Sequence, residues 1–259
     1  MLDFQQIKSQ YPAQIQQFQK GILREYLQYN ILQGIFESTY ADKVSFLGGT
    51  ALRIIYGNNR FSEDIDLDNF GLSWEDFEDL VRNIQNFLKF EGFIIEVKKM
   101  KKTVYHCYIK FPRILYENGI YPLPEEKILI KVESYTQGYG YNPSIQILNK
   151  FDVFSEVRVT PLPVLLSQKI IAAVDRKQPR GRDFYDITFL LGQTKPDYGY
   201  LNQKLGIASP ENLREFMLAK IDHYDFYALA EDVAPFVIRK QDVQRVTLFK
   251  TFWTQTPLN

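Results

Sequence analysis

One cysteine, Cys107, stands in 259 residues. A single thiol excludes an intrachain disulfide and a cysteine-based zinc site. Such usage fits a reducing compartment, and the cytoplasm is the expected location. Two histidines, His106 and His223, are too few for a His-rich metal centre. No run approaches the roughly 18 uninterrupted apolar residues of a membrane span. The opening stretch MLDFQQIKSQYPAQIQQF lacks the basic start and apolar core of a secretory leader. No membrane partner is therefore expected. Charge of one sign is also missing: 31 basic residues face 31 acidic ones. Without a whole-molecule field, any nucleic-acid binding has to come from a local basic patch. Internal repeats and low-complexity tracts are absent too.

What is present is ordinary globular chemistry. The chain is 45% hydrophobic and 24% charged, enough for a sizeable core in one large domain or two small ones. Phe18, Ile22, Tyr26, Ile31 and Phe36 recur at roughly helical spacing and predict a helix over 4–38. A short buried strand is expected over 43–47, a helix over 50–56, and an alternating strand over 63–70. Ser73-Trp74-Glu75-Asp76 reads as a capping box, with Asp in the usual Glu place, ahead of an amphipathic helix. Strands follow near 93–99, 103–112, 127–136, 144–148 and 153–159. Thr160-Pro161 then reads as an N-cap with proline at the first helical position. Helices are expected over 161–176, 183–191, 210–220, 225–231 and 240–253, the third opened by Ser209-Pro210-Glu211. The class is α+β, with a mixed α and β part over 1–160 and a helical part over 161–259.

Residues 44–68 read VSFLGGTALRIIYGNNRFSEDIDLD. An apolar run meets Gly48-Gly49-Thr50, and Asp64, Asp66 and Asp68 follow at alternate positions. Like charges on one strand face repel unless something offsets them. Residues two apart on a strand lie about 6–7 Å apart, so Asp64 and Asp66 can converge on a cation. Hard ions such as Mg²⁺ bind through one or two carboxylates, waters and substrate phosphates. The glycines open a helix whose free N–H groups suit phosphate, and the Thr50 hydroxyl adds a donor. A phosphate cradle beside a metal-binding acid pair is the minimal kit for phosphoryl or nucleotidyl transfer. A third acid is available in KILIKVESY, where Glu133 alternates with Val132. It either reaches the same ions or pairs with Lys131 near a strand end.

A second cluster lies in VLLSQKIIAAVDRKQPRGRDFYDI, residues 164–187. Lys169 and Arg176 share a helix face, and Lys177, Arg180 and Arg182 follow in a Gly/Pro turn. Asp183 and Asp186 stand three apart on the next helix. The cations suit a polyanion such as triphosphate or RNA, or they form Arg–Asp pairs on a solvated loop. Lys98, Lys99, Lys101 and Lys102 read as a wet hairpin tip or as a nucleic-acid contact.

These strings, LGGTAL, RFSEDIDLD and QKIIAAVDRKQPRGRDFYDI, resemble the AbiEii/AbiGii toxin family, including the MenT-type toxins. The resemblance spans about residues 44–191. It implies a polymerase-β-like nucleotidyltransferase core followed by a helical domain that completes the active-site cleft. It implies that Gly48, Gly49 and Thr50 hold nucleotide phosphates together with Arg60, Ser62, Lys169 and Arg182. It further implies Mg²⁺ on Asp64 and Asp66, beside which Glu133 is the candidate third metal ligand from the strand pattern, and a functional requirement for Lys169 and Asp183. Asp186 either serves the same motif, orients Arg182 or caps a helix. The implied co-substrate is a nucleoside triphosphate, the implied acceptor is RNA, a tRNA 3′ end foremost, and the implied partner is an antitoxin encoded nearby. Two other readings stay open: an antibiotic-type small-molecule nucleotidyltransferase, and a non-catalytic nucleotide- or RNA-binding module.

Overall fold

The computed structural model describes all 259 residues. The chain forms two compact units, one of residues 1–56, 61–138 and 143–159, the other of residues 57–60, 139–142 and 160–259.

The first unit is built on one mixed sheet of seven strands. They are β1 (Val44–Leu47), β2 (Ile65–Asn69), β3 (Glu96–Lys101), β4 (Tyr105–Phe111), β5 (Ile128–Tyr135), β6 (Ser144–Lys150) and β7 (Val153–Val159). Their order is β3-β4-β5-β2-β1-β7-β6. The central strand β2 runs antiparallel to β1 and parallel to β5. Alternation puts Ile65, Leu67, Cys107, Ile109 and Val132 on one face, all fully buried. The helices of this unit are α1 (Phe4–Ser9), α2 (Gln19–Phe36), α3 (Gly48–Ile54), α4 (Trp74–Phe90) and the single turn α5 (Ile114–Glu117), with α1 packed on α2. Of these, α2 packs along β7 and β5, and α4 against β3 and β4.

The expected helix over 4–38 is broken in two. Pro12 cannot donate within a helix and biases Tyr11 away from helical backbone, so the chain turns between α1 and α2. α2 is buried nearly all round and carries an internal charge cluster. Glu25 takes Arg53 of α3 at 2.7 Å and Lys150 at 2.9 Å, and accepts from the Tyr11 hydroxyl at 2.8 Å. Burial alone would raise its pKa, but Arg53 and Lys150 outweigh that and hold it below the usual value. The network fixes α3 against α2. The capping box of α4 forms as the sequence predicts: Ser73 accepts from the Asp76 N–H, and Asp76 accepts from that of Ser73. The lysine run lies along β3 at one edge of the sheet, where Lys99 pairs with Glu78 at 2.6 Å.

The second unit is helical: α6 (Leu162–Asp175), α7 (Gly181–Leu191), α8 (Tyr198–Leu205), α9 (Pro210–Ile221), α10 (Phe226–Val233), α11 (Gln244–Thr247) and α12 (Phe249–Gln255). Its core is aromatic. Phe184 meets Phe226 and Phe249 edge-on, and Trp253 stacks on Phe249. A Cβ on Gly181 would overlap the Leu229 carbonyl, so glycine sets the closeness of α7 to α10. Three expectations need correction. Pro161, not Thr160, is the N-cap of α6, and the Thr160 hydroxyl instead meets that of Tyr141 at 2.8 Å. The helix expected over 240–253 is a 3₁₀ turn followed by α11 and α12, interrupted at Leu248. Helix α8 was not anticipated. No helix is long and apolar enough to cross a membrane.

Candidate active site

In the first unit, β1 ends where Gly48 takes a positive φ of 80°, a backbone state that costs other residues strain. A Cβ there would also overlap the Asp66 carboxylate. Gly48 is thus needed twice, for the turn into α3 and for the room Asp66 occupies. Gly49 and Thr50 are buried in the first turn of α3. The Thr50 hydroxyl donates to the Asp64 backbone carbonyl. Its proton is therefore committed to fixing the approach to β2, a different use from the phosphate contact expected of it.

The aspartate row splits. Asp64 lies just before β2 with its side chain 39% exposed, and Asp66 is half-buried within the strand. Asp68 is 1% exposed and accepts the Gln137 N–H at 2.9 Å, so it serves the frame instead of the site. Parallel pairing places Glu133 directly beside Asp66. Glu133 nevertheless has two other close neighbours. Oε2 lies 2.7 Å from Lys131 Nζ, and Oε1 lies 2.8 Å from His106 Nδ1. Lys131 Nζ also stands 3.4 Å from Asp64 Oδ2. Burial acts against that ammonium, but the bonds to Glu133 and the charge of Asp64 win, and its pKa lies above the usual lysine value. No three acidic, histidine or cysteine side chains converge as a metal-holding group. Glu133 thus adjoins the acid pair without joining Asp64 and Asp66 around one point. What Asp64 and Asp66 offer does fit a hard divalent cation: accessible carboxylates on one strand face, space kept by Gly48, and a cation, Lys131, already drawn to Asp64.

The segment before β2 is held by residues that sequence reasoning missed. Gln28 of α2 donates to the backbone carbonyls of Ser62 at 3.0 Å and Glu63 at 3.1 Å. The Ser62 side chain is half-buried.

In the second unit, the i, i+3 spacing on α7 puts two buried aspartates on one face. Asp186 takes Arg60 through Nε at 2.7 Å and Nη2 at 2.6 Å, and Asn58 Nδ2 at 2.8 Å. Lys169 of α6 lies 2.9 Å from Asp186 and 3.3 Å from Asp183, and Arg176 lies 2.9 Å from Asp183. Burial would raise the Asp186 pKa, yet the charges of Arg60 and Lys169 lower it to about 2. Arg60 is 1% exposed, so the guanidinium expected to meet phosphate is a buried clamp on Asp186. Asp186 orients Arg60 and Lys169, and not Arg182, which takes no part in these pairs. Arg180 pairs with Asp232 at 3.3 Å. Three of the five cations are therefore matched by acids, but Lys169 and Arg176 meet fully buried aspartates on α7, not partners on a solvated loop. Asn58 carried no motif signal, whereas the pairing of Glu133 with Lys131 is the alternative the sequence offered.

Comparison with solved structures supports the same fold. The crystal structure of JHP933 from Helicobacter pylori matches with a TM-score of 0.55 at 15% identity, over 90% of this chain and 91% of that one. A crystal structure described as a candidate nucleotidyltransferase from H. pylori matches at 0.56 and 16% identity, over 90% and 94%. No curated protein matches the sequence significantly. The family model described as "Nucleotidyl transferase AbiEii toxin, Type IV TA system" matches residues 30–217, which include the glycine turn, the aspartate strand, Lys169 and both aspartates of α7. That match takes in most of the chain, and the chain belongs to the AbiEii nucleotidyltransferase toxins of type IV toxin–antitoxin systems.

Proposed function

We propose that this nucleotidyltransferase is Mg²⁺-dependent, moves a nucleoside monophosphate from a nucleoside triphosphate to an RNA hydroxyl, and does so at a tRNA 3′ end. The observation that carries the proposal is the fit of Asp66 over Gly48 with Asp64 accessible beside it. In the reaction the acceptor oxygen bonds to the α-phosphorus while the bond to the β-phosphate breaks and pyrophosphate leaves. Asp64 and Asp66 are the residues that would hold Mg²⁺, which supplies charge neutralisation at the α-phosphate and the leaving group. The backbone of Gly48 and Gly49 brings N–H groups to the phosphates. Lys169, held by Asp183 and Asp186, is the cation assigned to the triphosphate. Arg182 and Lys177, outside the aspartate pairs, are left for a polyanion. Arg60, Asp183 and Asp186 position Lys169 instead of touching substrate. Growth arrest in the cytoplasm of the host, phage defence as its setting, and release by a cognate antitoxin complete the reading. Family membership itself implies the antitoxin.

The test uses purified protein, MgCl₂, total tRNA and each labelled nucleoside triphosphate in turn. One nucleotide is expected to label tRNA. Asp64→Ala and Asp66→Ala should each cut that labelling by at least about a hundredfold. Label on a small-molecule acceptor instead of RNA would favour an antibiotic-type transferase. Nucleotide binding by calorimetry without pyrophosphate release would mean a binding module.

A further inference from the structure

Asp66 and Glu133 are cross-strand neighbours on β2 and β5, and Asp64 lies two residues before Asp66 on the approach to β2. Three like charges so placed repel. The partner that offsets this repulsion comes from the chain itself. Lys131 precedes Val132, the partner of Ile65, and its ammonium lies 3.4 Å from Asp64 Oδ2 and 2.7 Å from Glu133 Oε2. The other Glu133 oxygen lies 2.8 Å from His106 Nδ1. The lysine and the glutamate are each mostly buried, 27% and 20% exposed, so the pairing is less screened than a surface ion pair.

We infer that Lys131 is a resident counter-cation: it occupies the carboxylate site in the free enzyme and keeps it closed to bare divalent ions, so that the metal enters together with the nucleotide. A divalent ion bound by Asp64 has to displace an ammonium only 3.4 Å from that carboxylate. The repulsion between the two cations is removed once triphosphate brings negative charge and gives Lys131 a new partner. The inference rests on the assignment of Asp64 and Asp66 as metal ligands. It makes Lys131 a positioning residue whose removal loosens control over the metal.

The experiment measures Mn²⁺ binding to the full chain without nucleotide, by calorimetry and by the loss of the free-ion paramagnetic resonance signal. Lys131→Met is expected to bind Mn²⁺ on the order of tenfold more tightly than the wild type. It should also melt at a lower temperature than wild type without metal and recover when Mn²⁺ is added. Lys131→Arg, which keeps the charge, should behave as wild type and guards against a folding defect in the first variant. Equal or weaker Mn²⁺ binding by folded Lys131→Met would overturn the inference. Tight binding that survives Asp64→Asn in the Lys131→Met background would place the ion elsewhere and overturn the metal assignment as well.

Discussion

Gly48 and Asp66 compete for the same space, and only the lack of a side chain on one admits the carboxylate of the other. Gly48→Ala adds both left-handed backbone strain, roughly 1–2 kcal/mol, and a clash with the acid. It should lower the melting temperature and reduce nucleotidyl transfer together, whereas a purely structural glycine would move only the first. Asp186 makes a different prediction. Its folded pKa, about 2, lies below its ordinary value of 3.8. The stabilisation is therefore fully present above pH of about 4 and lost as pH falls through 2, amounting to roughly 2 kcal/mol. Denaturant melts between pH 7 and pH 2 should show this loss, and Asp186→Asn should lack that part of the slope. At this scale the sequence exposed the acids and glycines, because their spacing along one segment is the signal. It could not expose Lys131 beside Asp64, or Asn58 and Arg60 on Asp186. Those meetings join positions far apart in the chain and depend on register and burial.

Among the elements, local chemistry predicted best where it was self-contained. The box Ser73–Asp76 closes α4 within four residues, and the alternating strands from β3 to β7 fall close to their expected places. Ser73→Ala should cost about 1 kcal/mol, read from denaturant melts, without altering nucleotide transfer. Long apolar periodicity misled where a breaker lay inside it. Pro12 divides α1 from α2, and an exposed Leu248 separates α11 from α12. Helix α8 was legible after all through its ends: Asp197 accepts from the Tyr200 N–H at 2.9 Å, and Gly206 closes the helix with φ of 71°. Its sequence YGYLNQKL has too weak an apolar stripe to advertise the interior.

For the whole molecule, the family was readable from motifs and is shown by the family model over residues 30–217, and the α+β fold is shared with solved structures at 15–16% identity. Composition could not show that the acid pair and the Lys169 pair belong to differently built units. Cys107, the one thiol, is fully buried in the sheet of the first unit, and burial pushes its pKa up to about 12. A thiol reagent should therefore leave the native protein unlabelled and modify it at the rate at which this unit opens, a global unfolding clock with no engineered probe. The chain also passes between the units more than once: residues 57–60 belong with the helical unit, yet Asp64 follows four residues later. The consequence is genetic. A premature stop after Val159 would delete Asp186 and strand the guanidinium of Arg60 within the surviving polypeptide. The toxin gene is thus not divisible into an autonomous catalytic cassette and a dispensable tail, and frameshifts upstream of the Asp186 codon should score as loss of toxicity.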